Sequence, residues 1–165
     1  MDLICIRKSR WSGNILIDDK MQALGEKGWN CDIKLRSKAD YATVLHELLH
    51  ARSISYFDEK TYKDFGKLEE GAVELLTEEI CKQKKIIYTQ TYEEQVKHLR
   101  RINRRAKLFA EDIDFAKELI NVSVTNRMEW IIKKVNDSIL ADGFTDFEKD
   151  GIYDSISKLF GGVFE

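Results

Sequence analysis

The stretch VLHELLHARS, residues 44–53, decides how the rest of the chain is read. Taken as a helix, it carries Val44, Leu45, Leu48 and Leu49 at helical spacing, which makes an apolar stripe. His46 and His50 lie four residues apart, so both imidazoles stand on one side of that helix, one turn from each other. Two neutral imidazoles so placed can reach one metal ion, and zinc takes such nitrogens readily. Glu47 is about 100° round the helix from His46. There its carboxylate sits beside the ion and can take a proton from water at an open coordination position. Of the three histidines in 165 residues, two fall in this one turn.

A catalytic zinc site needs a third protein ligand. The next helical stretch, LEEGAVELLTEEI (68–80), offers Glu70, with Glu74 one turn further on. Two antiparallel helices joined by a loop over SYFDEKTYKDFG (55–66) bring Glu70 opposite the histidines. Glu74 can then accept a hydrogen bond from the far nitrogen of a ligand histidine and fix its tautomer. Leu68, Ala72, Leu75 and Leu76 take another side of the helix, so an acidic stripe and a core stripe coexist.

HExxH followed by Glu-Gly about 20 residues on resembles the gluzincin metallopeptidases. EEGAVELLTEEI is similar to the NEGxTExLT signature of their small bacterial and phage-borne members, the minigluzincins. The resemblance covers residues 40–80. It implies a zincin-like domain built round an active-site helix pair and a Zn2+ ion held by His46, His50 and Glu70. It also implies Glu47 as general base, Glu74 behind a ligand histidine, and a peptide or protein substrate. In such enzymes the strand before the motif helix pairs with extended substrate, which here points to CDIKLR (31–36). Glu69 stands where the family often has Asn, leaving open an exchange of roles between Glu69 and Glu70. A metzincin would need a histidine six residues after His50, and position 56 is Tyr.

A donor to the developing oxyanion is also expected. Tyr88, Tyr92, His98 and Tyr153 are the candidates. Tyr92 comes first, because TYEEQVKHL resembles the Tyr-x-x-x-Val segment that follows the glutamate helix in small gluzincins. His98 reads as a partly exposed surface residue and Tyr153 as core.

Outward from the motif, the first 38 residues are strand-rich. LICIR (3–7), NILID (14–18) and CDIKLR (31–36) alternate or cluster apolar residues between turn-forming SGN and GEKGWN. The piece 18–25 reads as a short helix ending at Gly25. Residues 39–165 read as helices. One apolar register, Val96, Leu99, Ile102, Ala106, Phe109, Ile113, Ala116 and Ile120, is held for about seven turns. A single helix of that length would outrun a small domain, so it either breaks near 112–114 or projects. Two further helices follow, the last opened by a Thr145/Glu148 capping box and closed at Gly161-Gly162. The expected fold is one α+β domain over 1–165, a small N-terminal sheet followed by a helical majority.

Composition sets bounds on partners. With 43% hydrophobic and 34% charged residues the chain is globular, and a net charge of -2 favours neither nucleic acid nor membrane. The basic run KHLRRINRRAK (97–107) has no interleaved aromatic to stack bases and reads as a solvated helix face. Three cysteines without paired spacing fit free thiols of a reducing compartment, and no stretch has the length of a membrane span, so a cytoplasmic location is expected. A zinc peptidase of narrow substrate range is the favoured reading. The alternatives are a non-catalytic metal-containing binding or regulatory module and a hydrolase of non-peptide amides.

Overall fold

The computed structural model describes residues 10–53 and 59–160. Three short strands, β1 (Ile15–Ile17), β2 (Gly25–Lys27) and β3 (Ile33–Leu35), form one sheet in the order β1-β3-β2. Six α-helices follow among the described residues: α1 (Tyr41–His50), α2 (Glu59–Lys84), α3 (Glu93–Arg105), α4 (Asp112–Asn121), α5 (Arg127–Asp142) and α6 (Asp146–Phe160). The expected α+β class, a small sheet and then a helical majority, is what is observed. The β-like run 3–7 and the Gly161-Gly162 stop lie outside the described residues.

β3 behaves as its pattern demands: Ile33 and Leu35 are buried and Lys34 between them is not. β1 pairs with it in parallel and β2 antiparallel. β2 overturns the short helix expected over 18–25, where the chain runs in turns and bends and Gly25 opens a strand. A three-residue strand between turn residues has no periodicity long enough to read. Asp40 caps α1, its side chain accepting from the Thr43 backbone N–H at 2.8 Å, and this sets where the helix starts.

α2 is the spine. Its 26 residues run about 39 Å, and 68–81 are buried on every side. It begins at Glu59, so the latter part of the expected loop 55–66 is helix. α1, α3, α4 and α6 all pack on it, and one apolar cluster joins Leu49, Leu75, Leu99, Phe115, Ile131 and Ile156.

The long register over 96–120 is buried as its spacing predicts, with Phe109 partly so, but two helices carry it. α3 ends at Arg105, seven residues before the start of the expected break. Lys107 takes the left-handed conformation (φ 50°), and the Leu108 N–H bonds back to the Asn103 carbonyl at 3.1 Å, a Schellman turn. The Asn103 side chain accepts from Phe109 N–H and donates to Asp112, tying both helices to the corner. A lysine in the position that glycine usually fills left no mark of that turn in the sequence.

The basic face of α3 is only partly solvated. Arg100 reaches Glu78 and Glu79 of α2 at 2.7 Å each, and Arg104 reaches Asp112 at 2.7 Å. Two of the cations of the basic run are thus neutralised within the fold. The Thr145/Glu148 capping box forms, with both Thr145 N–H and hydroxyl donating to Glu148. Cys31 and Cys81 are free and buried, and among the described residues no helix is long and apolar enough to cross a membrane.

Candidate metal centre

α1 and α2 meet at the acidic stripe of α2. There the Nε2 atoms of His46 and His50 are 3.0 Å apart, and Glu70 Oε2 lies 3.2 Å from the first and 3.0 Å from the second. The other ring nitrogens point away onto carboxylates: His46 Nδ1 to Glu74 Oε2 and His50 Nδ1 to Glu69 Oε1, each at 2.9 Å. A carboxylate only accepts, so each ring keeps a proton on Nδ1, and once Nε2 gives up its own proton its lone pair is aimed at the common point. Three lone-pair donors converge on one buried spot and could hold a metal ion.

The donor set fits zinc. Tetrahedral bonds of 2.0–2.1 Å keep donors about 3.3 Å apart, so the triangle needs to open by only a few tenths of an ångström. Two imidazoles and one carboxylate are ligands zinc accepts, and each imidazole already has the outer hydrogen bond such ligands carry. Burial works to raise the Glu70 carboxyl pKa, yet the two histidines hold it well below the usual range. Glu69 is also buried, and Arg127 and then His50 keep it ionised with a pKa of about 2. Glu69 reaches the far nitrogen of His50 and Glu70 the near ones, so of the two it is Glu70 that faces the donor triangle.

Glu47 is seated by the sheet. Backbone pairing of Leu24 with Arg36 and of Gly28 with Asp32 turns the peptide groups of Gly25 and Lys27 to the outer edge of β2, where the Lys27 N–H donates to the Glu47 carboxylate. Burial raises the Glu47 pKa, and the two histidines offset part of that rise. A Cβ on Gly25 would come within 2.8 Å of Glu47 Cγ and Oε1 and 2.9 Å of Thr43 Cγ2. Gly25→Ala is therefore expected to push the Glu47 carboxylate off its seat and to cost about 1–3 kcal/mol of stability by overpacking. Thermal melts and zinc titration check it, with zinc binding expected to stand because no ligand is moved.

A cleft of about 790 Å³ opens over these groups, with Gly25, Lys27 and Trp29 on the strand side and Tyr62 and Tyr92 opposite. Asp32 and Lys34 of the 31–36 strand line the cleft, as expected. That strand cannot pair with an extended substrate, however, because β3 is central and both its edges are already paired, so the edge strand at the cleft is β2. A second hollow of about 370 Å³ adjoins His46 and Glu47, walled by Leu24, Ala42, Thr43, Thr77 and Thr89.

Of the four oxyanion candidates only Tyr92 lines the cleft. Its ring stacks on His46 (centroids 6.0 Å apart, planes 12°), and its hydroxyl hydrogen-bonds Glu70. Burial and then Glu70 push the phenol pKa up, so it stays a proton donor. Tyr92 sits in the left-handed region (φ 48°) at the start of α3, a conformation that costs a non-glycine residue about 1 kcal/mol. The Thr91 N–H, donating to Glu74 Oε1 at 2.9 Å, anchors that turn to the site. Tyr88 instead hydrogen-bonds Glu78. Contrary to expectation, His98 is buried, on the helix that packs against α6, and Tyr153 is half-exposed, donating to Asn136.

Several site residues had no sequence signal. Tyr62 faces the cleft from the first turns of α2, with its phenol pKa raised by burial and by the Glu70 and Glu47 carboxylates, and Trp29 packs edge-on against it. Gly25 looks like a turn glycine, and Arg127 stands in a helix far along the chain.

No family model matches the chain, and neither does any curated protein or solved structure.

Proposed function

We propose that the chain is a zinc-dependent peptidase of gluzincin type, a zincin-like domain whose ligands are His46, His50 and Glu70. The observation that carries the reading is the buried triangle of Nε2, Nε2 and carboxylate oxygen, with a further carboxylate, Glu47, beside it and an open cleft above. A purely structural zinc site is closed by four protein ligands. Here, among the described residues, three donors meet under a cleft, which favours catalysis over a metal-containing binding module.

Zinc in such a site supplies Lewis acidity, polarising a carbonyl and acidifying water. The residues do the rest. Glu47, its pKa raised by burial, accepts a proton from the attacking water and passes it to the leaving amine. Tyr92, kept protonated, donates towards the oxygen on which negative charge develops. The outer edge of β2 guides an extended peptide past Glu47, and the threonine-walled hollow takes a side chain next to the scissile bond. The substrate is an extended segment of a peptide or protein, and the site of action is the cytoplasm.

The test is a diverse peptide library incubated with zinc-loaded protein and read by mass spectrometry. Cuts that are chelator-sensitive are expected. A chain that binds one zinc yet cuts no peptide or protein offered would overturn the peptidase reading in favour of the binding module.

A further inference from the structure

Among the described residues Arg127 is the largest fully buried side chain, and it lies behind the candidate metal centre. Its Nη1 bonds Glu69 Oε2 and its Nη2 bonds Ser53 Oγ, while Nε donates to the Val122 carbonyl at 3.1 Å and Nη2 to that of Ile120 at 3.5 Å. Ser53 donates in turn to Glu69 Oε2 at 3.0 Å. The second oxygen of that carboxylate is the one that holds His50 Nδ1.

We propose that Arg127 is a positioning residue of the metal centre, fixing His50 through Glu69 so that the imidazole presents Nε2 to the ion. The inference rests on the zinc-site reading above. A carboxylate that can turn about its own bonds would hold a histidine in several orientations. Glu69 cannot turn, because one oxygen is clamped by a guanidinium and a hydroxyl and the other meets the ring. Arg127 is held as well, since the Ile120 and Val122 carbonyls at the end of α4 take two more of its N–H groups. The line from α5 through Arg127 and Glu69 to His50 is buried throughout. It also accounts for a glutamate being tolerated at position 69. A fully buried carboxylate needs a counter-charge there, whereas an amide would not.

Outer-shell partners of metal-bound histidines typically carry a 10–100-fold effect on metal affinity. Zinc affinity, by competition with a chromophoric chelator, and the visible spectrum of the cobalt(II) form are to be measured on the full chain. Each is taken well below the melting temperature of the variant. Arg127→Lys keeps a cation but not the fork, and is expected to bind zinc about 10–100-fold more weakly with an altered cobalt spectrum. Glu69→Gln/Arg127→Met removes both charges and leaves a carbonyl for His50 Nδ1, and is expected to recover most of that loss. Ser53→Ala removes one clamp without touching a charge. Should Arg127→Lys not fold, a several-fold weaker affinity in Ser53→Ala is the expected result. A lowered melting temperature with wild-type affinity and spectrum, in Arg127→Lys or in Ser53→Ala where that replaces it, would make Arg127 a scaffold residue only and overturn the proposal. A wild-type chain that binds neither zinc nor cobalt would overturn the metal centre itself, a result readily told apart from the first.

Discussion

Glu47→Gln is expected to abolish measurable peptide cleavage, by about 10²–10⁴-fold at least, while one zinc per chain stays bound. The glutamine carbonyl can still accept from the Lys27 N–H and fits beside Gly25, so the seat in the sheet is kept. What is lost is the proton acceptor, because a carboxamide cannot take a proton from water. Glu47 is not one of the three donors of the triangle, so zinc stoichiometry and cobalt spectrum are expected to match the wild type. Hydrolysis that survives in Glu47→Gln would remove this residue from the mechanism. Gly25→Ala gives a graded version of the same result, with the base present but displaced.

His46→Ala is expected to release the ion altogether, an effect larger than the roughly 10–100-fold that loss of an outer partner brings. The ring supplies one of three donors, and its removal also strips Glu74 of its partner on the buried side and Tyr92 of the surface it stacks on. Metal analysis after dialysis checks it, and zinc retained at full stoichiometry would exclude this ligand set. In the metal-free wild type, burial works to lower the His50 pKa, but Glu70 and Glu69 lift it well above the ordinary imidazole value, and His46 is raised as well. A raised pKa means the proton is retained to higher pH, and zinc must displace it. Zinc affinity is therefore expected to climb with pH through and beyond neutrality and to fall on acidification, with proton release on binding measurable by calorimetry in buffers of different ionisation enthalpy. An affinity independent of pH would contradict imidazole ligation.

The amino-acid sequence alone determined the types of the candidate donors and their spacing. His46 and His50 had to share a face once 41–50 was helical, because four residues are little more than one turn. The alternation of Ile33 and Leu35, the apolar register from Val96 to Ile120 and the Thr145/Glu148 box were legible for the same reason: each is a local period or a local hydrogen bond. The break after Arg105 was not, because a lysine took the left-handed turn and side-chain bonds from Asn103 closed the corner.

Only the tertiary structure decided which acid of the Glu69-Glu70 pair faces the histidines' near nitrogens and which their far side. Adjacent residues on a helix point about 100° apart, and the sequence carries no record of how α2 is rolled against α1. It also decided that β2 and not β3 is the edge strand at the cleft, since strand order depends on pairing across the sheet. Arg127 joins Glu69 from 58 residues away. A buried glutamate implies a cation, but any of the 27 lysines and arginines could supply it until the packing of α2 against α4 and of the turn before α5 brings one guanidinium within reach. Chemistry that rests on short periods is written locally, whereas chemistry that rests on a counter-ion is settled by the fold.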